Sequence, residues 1–93
     1  MAQHNNPYNG IAELDETHLI IQLRSMIAEE FEAANLYQQF AAVIKDDVIR
    51  KQVLDIANEE IVHAGEFSAL LDRLTEEDGI LIQQGMEEVW EEN

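Results

Sequence analysis

Two stretches of this chain repeat apolar residues at alternating steps of three and four, a period that commits both to long α-helices packed along a seam. The first reads Ile20, Leu23, Ile27, Glu30, Ala34, Tyr37, Ala41 and Ile44, and the second reads Ile49, Val53, Ile56, Glu60, His63, Phe67, Leu70 and Leu74. Asp15 or Thr17 is placed to cap the first helix, which is expected to run to about Lys45, where a cation meets the negative end of the helix dipole. Asp46 and Asp47 then cap a second helix from about Val48 to Leu74. Thr75, followed three residues later by Asp78, resembles a capping box that opens a short third helix, weakened by Gly79 and Gly85. Residues 1–13 hold Pro7, Gly10 and several amides without periodicity, so a flexible N-terminal arm is expected there, followed by one half-bundle domain over 14–93.

Further stripes widen each apolar face: Leu19, Met26, Ala33 and Phe40 on the first helix, and Ala57, Ala64 and Leu71 on the second. A two-helix hairpin cannot cover faces that wide, and 93 residues make a marginal core alone. A second hairpin must bury the remainder. The expected fold is therefore all-α: an antiparallel two-helix hairpin plus a short C-terminal helix, dimerising into a four-helix bundle.

Composition narrows the function. Twenty acidic against five basic residues give a formal charge of −15, which repels nucleic acid and anionic membranes and concentrates cations. No apolar run approaches the roughly 20 residues that cross a bilayer, and the polar start MAQHNNPYNG lacks a charged segment followed by a hydrophobic one. The expectation is a soluble, cytoplasmic protein. With no cysteine, a disulfide framework, a thiolate zinc site, an iron–sulfur cluster and a rubredoxin-type electron-transfer module are excluded from this stretch. Any metal must be held by carboxylate and imidazole, a set that suits iron, manganese or zinc.

Three polar residues interrupt the seams. A tight turn at Asp46 and Asp47 places residues whose numbers sum to about 93 at one level of the hairpin, and Glu30 and His63 meet that condition. Glu60 lies one turn before His63 on the same face. Three oxygen and nitrogen donors thus converge at one depth, where uncompensated carboxylates oppose folding unless a cation or a proton intervenes. One Glu on one helix and a Glu-x-x-His on the other is half of the donor set of a di-iron carboxylate bundle. Two copies about a twofold axis supply four carboxylates and two imidazoles, enough for two ions at the dimer interface with positions left open. A protonated or water-filled polar layer is the alternative.

Around this layer, Tyr37 is either a hydroxyl donor to a ligand carboxylate or a core aromatic. Glu29, Glu32, Glu59 and Glu66 flank the ligands, as an inward route for Fe²⁺ or as a solvated helix face, with Glu66 the strongest candidate for support of His63. His4 and His18 read as surface histidines. Ile82, Met86, Val89 and Trp90 make one apolar face of the third helix, a packing or subunit contact.

The segments EEFEAANLYQQ (Glu29 to Gln39) and NEEIVHAGEF (Asn58 to Phe67) resemble the two metal-bearing helices of the encapsulated ferritins, ferritin-like cargo proteins of encapsulin nanocompartments. The resemblance covers about residues 14–92. It implies that Glu30, Glu60 and His63 ligate iron, that Tyr37 is the nearby tyrosine of the catalytic centre, and that Glu29 and Glu32 are uptake-site carboxylates. It further implies a ferroxidase that oxidises Fe(II) to Fe(III) with dioxygen at a di-iron centre between subunits. Such proteins form homodimers assembled as a ring-shaped decamer inside an encapsulin shell, where the mineral accumulates. Members usually extend into a short shell-docking peptide, and this sequence ends at Trp90-Glu91-Glu92-Asn93. Two other readings stand beside this one: a rubrerythrin-like peroxide reductase, and a non-catalytic helical assembly module whose polar layer fixes register.

Overall fold

The computed structural model describes residues 6–91. Three helices follow in order, α1 (Glu16–Ala41), α2 (Asp47–Leu74) and α3 (Glu77–Glu91), with no strand among the described residues. Asp15 is the first cap. Its Oδ1 accepts the backbone N–H of His18 at 2.8 Å and lies 2.7 Å from His18 Nδ1. The backbone bond is the largest reason that the Asp15 carboxyl sits below its usual range. Before it, the amide of Asn9 bonds to the carbonyl of Asn6 at 3.0 Å, Gly10 takes φ 85°, and the Tyr8 hydroxyl donates to Gln22 Oε1 at 2.7 Å.

α1 ends at Ala41, short of the expected Lys45. The amides of Val43 and Ile44 donate to Phe40 and Ala41 at 3.1 and 3.2 Å, three-residue bonds that tighten the end and release the chain. Lys45 therefore lies in the connection, not in the last helical turn. Asp46 caps α2 by accepting the amides of Val48 and Ile49 at 2.9 and 3.0 Å, and Asp47, already helical, pairs with Arg50 at 2.6 Å.

The hairpin closes on small side chains. The buried residues are Ala34 and Ala41 of α1 with Ala57, Ala64 and Leu71 of α2. α1 uses the expected seam, with Ile20, Leu23, Ile27, Glu30, Tyr37 and Ile44 half-buried. α2 departs from it. Its contact line runs Val53, Ala57, Glu60, Ala64, Phe67, Leu71 and Leu74, whereas Ile49, Ile56, His63 and Leu70 form an exposed stripe beside it. Alanines let the two backbones approach, and larger Ile or Leu at those positions would hold the helices apart.

α3 contributes no buried residue. Gly79 and Gly85 do not interrupt it, and it is the short C-terminal helix expected. The expected capping box does not form: Thr75 Oγ1 accepts the amide of Glu77 at 3.3 Å, while Asp78 turns to α1. There Arg24 Nε and Nη2 donate to Asp78 Oδ2 and Oδ1 at 2.7 and 2.8 Å. A charged two-pronged bond outcompetes a side-chain cap. It lowers the Asp78 carboxyl and raises the Arg24 guanidinium from their ordinary values.

The radius of gyration is 17.5 Å, against about 12 Å for a compact domain of this length. The extents of 52 × 45 × 17 Å describe a sheet of helices one layer thick. Among the described residues no helix is long and apolar enough to cross a membrane.

Candidate metal centre

Glu30 and Glu60 occupy the contact line between α1 and α2, and His63 stands at its edge on the exposed stripe. The helical period places Glu60 and His63 on neighbouring turns, and the hairpin register brings Glu30 level with them. His63 Nδ1 lies 3.5 Å from Glu30 Oε2 and 3.7 Å from Glu60 Oε2. One donor atom from each of the three falls within 4.8 Å of the others, and no other such group converges among the described residues. The carboxylate side chains are 19% exposed and the imidazole 48%. The triad is sealed toward the hairpin and open on one side.

Glu30 carries the electrostatic tension. Its Oε2 is shielded from solvent and has no hydrogen-bond partner. The Glu30 carboxyl is raised above its ordinary range, chiefly by the adjoining Glu60 carboxyl, which favours the protonated form, then by desolvation and repulsion from Glu60; His63 opposes the shift. An orphaned anionic oxygen beside a second carboxylate and an imidazole is a place of strongly negative potential. Its donor set matches a hard or borderline cation.

The open side is a cavity of about 380 Å³ lined by Glu30, His63, Glu66, Phe67 and Leu70. Its neighbour, about 280 Å³, continues the apolar face along Leu19, Leu23, Leu70 and Leu74. Glu66 thus lies at the mouth. Glu29, Glu32 and Glu59 are exposed and outside the triad. Tyr37 is half-buried on the α1 seam, and its hydroxyl makes no hydrogen bond among the described residues. His18 pairs with Asp15, and His4 lies outside the described residues. Phe67 and Leu70 read from sequence as core, yet both line the mouth. The heptad of Ile56, His63 and Leu70 is the signal that places Leu70 beside His63.

Residues 22–91 match the family model described as Rubrerythrin. The Ferritin-like-encapsulin shell fusion protein of Pyrococcus furiosus is 46% identical over 69 residues, covering 74% of this chain and 20% of that protein. The uncharacterized protein YhjR of Bacillus subtilis is 39% identical over 57 residues, covering 61% of this chain and 39% of that protein. The chain thus spans between a fifth and two fifths of the length of these relatives. The crystal structure of the encapsulated ferritin domain from Pyrococcus furiosus superposes with a TM-score of 0.85 at 39% identity, covering 97% of this chain and 94% of that one.

Proposed function

The chain belongs to the rubrerythrin family and, within it, to the encapsulated ferritins, and on that premise we propose that it is a ferroxidase. Fe²⁺ is its substrate, held at the interface of two copies and oxidised to Fe³⁺ by dioxygen. The observation that carries this reading is the shielded, partnerless Oε2 of Glu30 in contact range of His63 and Glu60. A carboxylate left in that state is compensated by a cation.

Two copies about a twofold axis bring Glu30, Glu60 and His63 together twice, giving a donor set for two iron ions. The raised Glu30 carboxyl means that iron competes with a proton there, so capture strengthens as pH rises. Anionic oxygen donors favour Fe³⁺ over Fe²⁺, which draws the electron toward dioxygen. His63 supplies a ring nitrogen at the mouth. Glu66, Glu29 and Glu32 form the acidic approach, and Tyr37 donates its hydroxyl toward the ligand carboxylates. The exposed stripe of Ile49, Ile56 and Leu70, with Leu19 beside it, is the surface the second copy covers.

The dimers assemble into a ring-shaped decamer and work inside an encapsulin shell in the cytoplasm, where the oxidised iron is stored. The relative whose name joins a ferritin-like part to an encapsulin shell supports that partner. Stopped-flow mixing with Fe²⁺ and dioxygen tests the chemistry. Glu60→Ala and His63→Ala should each abolish rapid oxidation, and wild-type rates in both variants would overturn the assignment. The family's name favours one further arm, peroxide in place of dioxygen with a supplied reductant. Turnover there and not with dioxygen would make the chain a peroxide reductase.

A further inference from the structure

We propose that dioxygen reaches the metal site along an apolar channel walled by Leu23 and Leu70, separate from the acidic approach that Fe²⁺ takes. The inference rests on the ferroxidase reading and adds the path of its second substrate. Two adjoining cavities carry it. The first, about 380 Å³, opens on the triad and holds Glu30, His63 and Glu66 together with Phe67 and Leu70. The second, about 280 Å³, is lined by Leu19, Leu23, Leu70, Leu74 and Arg73. Leu70 belongs to both. The hairpin register that sets Glu30 level with His63 also sets Leu23 level with Leu70 and Leu19 level with Leu74. The second cavity therefore leads from the triad toward the end of α2, and from His63 to Leu74 the route follows about 16 Å of helix.

The two cavities differ in charge. The first carries two carboxylates, whereas the second carries none, in a chain with 20 acidic residues. Its one charged wall is Arg73, which has no ion-pair partner among the described residues. A divalent cation finds no ligand along four leucines and is repelled by a guanidinium. Dioxygen is neutral and apolar, so it leaves water for such a surface. Leu19 and Leu70 are 37% and 52% exposed, which makes the channel of a single chain an open trough. The second copy that completes the iron site roofs it. Enclosed cavities walled by leucine stay dry and take up small apolar guests. Leu23 is half-buried and lines the second cavity but not the first, so a change there alters the trough without touching the triad.

Xenon is the probe, because it is an apolar gas whose binding needs no iron chemistry. Crystals of the full assembled chain under xenon pressure should show it between Leu23 and Leu70. Leu23→Trp should fill that space, abolish the xenon peak and raise the KM for dioxygen several-fold, with a smaller change in kcat, while calorimetry without dioxygen shows Fe²⁺ bound as in wild type. Leu74→Phe blocks the same space from α2 and should act alike. Leu23→Ala hollows the wall instead of filling it, and should keep both the xenon peak and the wild-type KM. Absence of xenon from the wild-type trough would overturn the channel, because the second copy would then fill it. So would a blocked variant that excludes xenon yet keeps its KM, or an equal rise in KM in Leu23→Ala and Leu23→Trp, which would make Leu23 a packing residue. Rapid Fe²⁺ oxidation without bound xenon refutes the route and leaves the ferroxidase reading standing. Bound xenon in a protein inert toward Fe²⁺ refutes the ferroxidase reading, and the dioxygen assignment with it, and leaves only an apolar site.

Discussion

α2 carries two apolar stripes side by side, and they meet opposite fates. Ala57, Ala64 and Leu71 are at most 4% exposed, whereas Ile49, Ile56 and Leu70 are 36–52% exposed. Two of the three fully buried positions are alanines while three large aliphatics stand exposed, the reverse of what a self-sufficient monomer would choose. Each large aliphatic left in water forgoes part of the roughly 1.5–3 kcal/mol that full burial contributes. Small residues set the spacing of the hairpin, and the exposed large ones are the surface that the proposed second copy would cover. The triad proposed to hold metal lies on the border, with Glu60 on the inner line and His63 on the outer stripe.

The largest effect should come from the outer stripe. Ile56→Glu sets a charge in a surface meant to be covered, and should abolish dimerisation and, with it, iron oxidation. Light scattering would show the monomer, and circular dichroism should show the hairpin intact. Loss of helix in the same variant would mean that this stripe serves the monomer.

Next in size is the inner line. Ala57→Leu overpacks a fully buried position on the α2 contact line and should cost about 1–3 kcal/mol in urea unfolding. Ile82→Ala on exposed α3 should stay within about 0.5 kcal/mol. Equal losses at both positions would remove the distinction between a packed hairpin and an unpacked third helix.

A smaller and more local change is expected from Arg24→Ala. Hydrogen exchange of the α3 amides should speed up while those at the centre of α1 and α2 stay protected, because Asp78 ties α3 to α1. Uniform exchange across all three helices would show that the pair does not orient α3.

The subtlest effect concerns the triad itself. In the folded chain the Glu30 carboxyl is raised, so its contribution to stability is fully present below its ordinary value of 4.5 and is lost as pH rises through the folded value. Glu30→Gln should therefore raise the metal-free Tm at neutral pH and flatten its decline from mild acid upward, while Fe²⁺ no longer stabilises the variant. A thermal profile identical to wild type would remove Glu30 from the origin of that pH dependence.

Much of this was legible in the sequence. The three-and-four period marked α1 and α2, and the sum of 93 paired Glu30 with His63, now 3.5 Å apart. The phase of the α2 seam was not legible. Both of its stripes are apolar, and periodicity does not say which one faces the same chain and which faces another. Ala57 and Ala64 look weakly hydrophobic until the backbones are seen to close on them. The end of α1 moved because three-residue hydrogen bonds at Val43 and Ile44 competed with the dipole argument for Lys45. Asp78 was read as a cap because its partner is not legible: the level arithmetic pairs Arg24 with residue 69 of α2, short of the α2–α3 corner, and only the fold shows α3 bringing Asp78 to Arg24. Gly79 and Gly85 weigh on helix propensity only modestly, and α3 runs through both.

Anomalous diffraction at the iron edge from crystals grown or soaked with Fe²⁺ is the most direct measurement of the central proposal. Two iron peaks should lie at a twofold interface, bound by Glu30, Glu60 and His63 of both chains. Iron bound away from these residues, or held by one chain without a partner opposite, would contradict it.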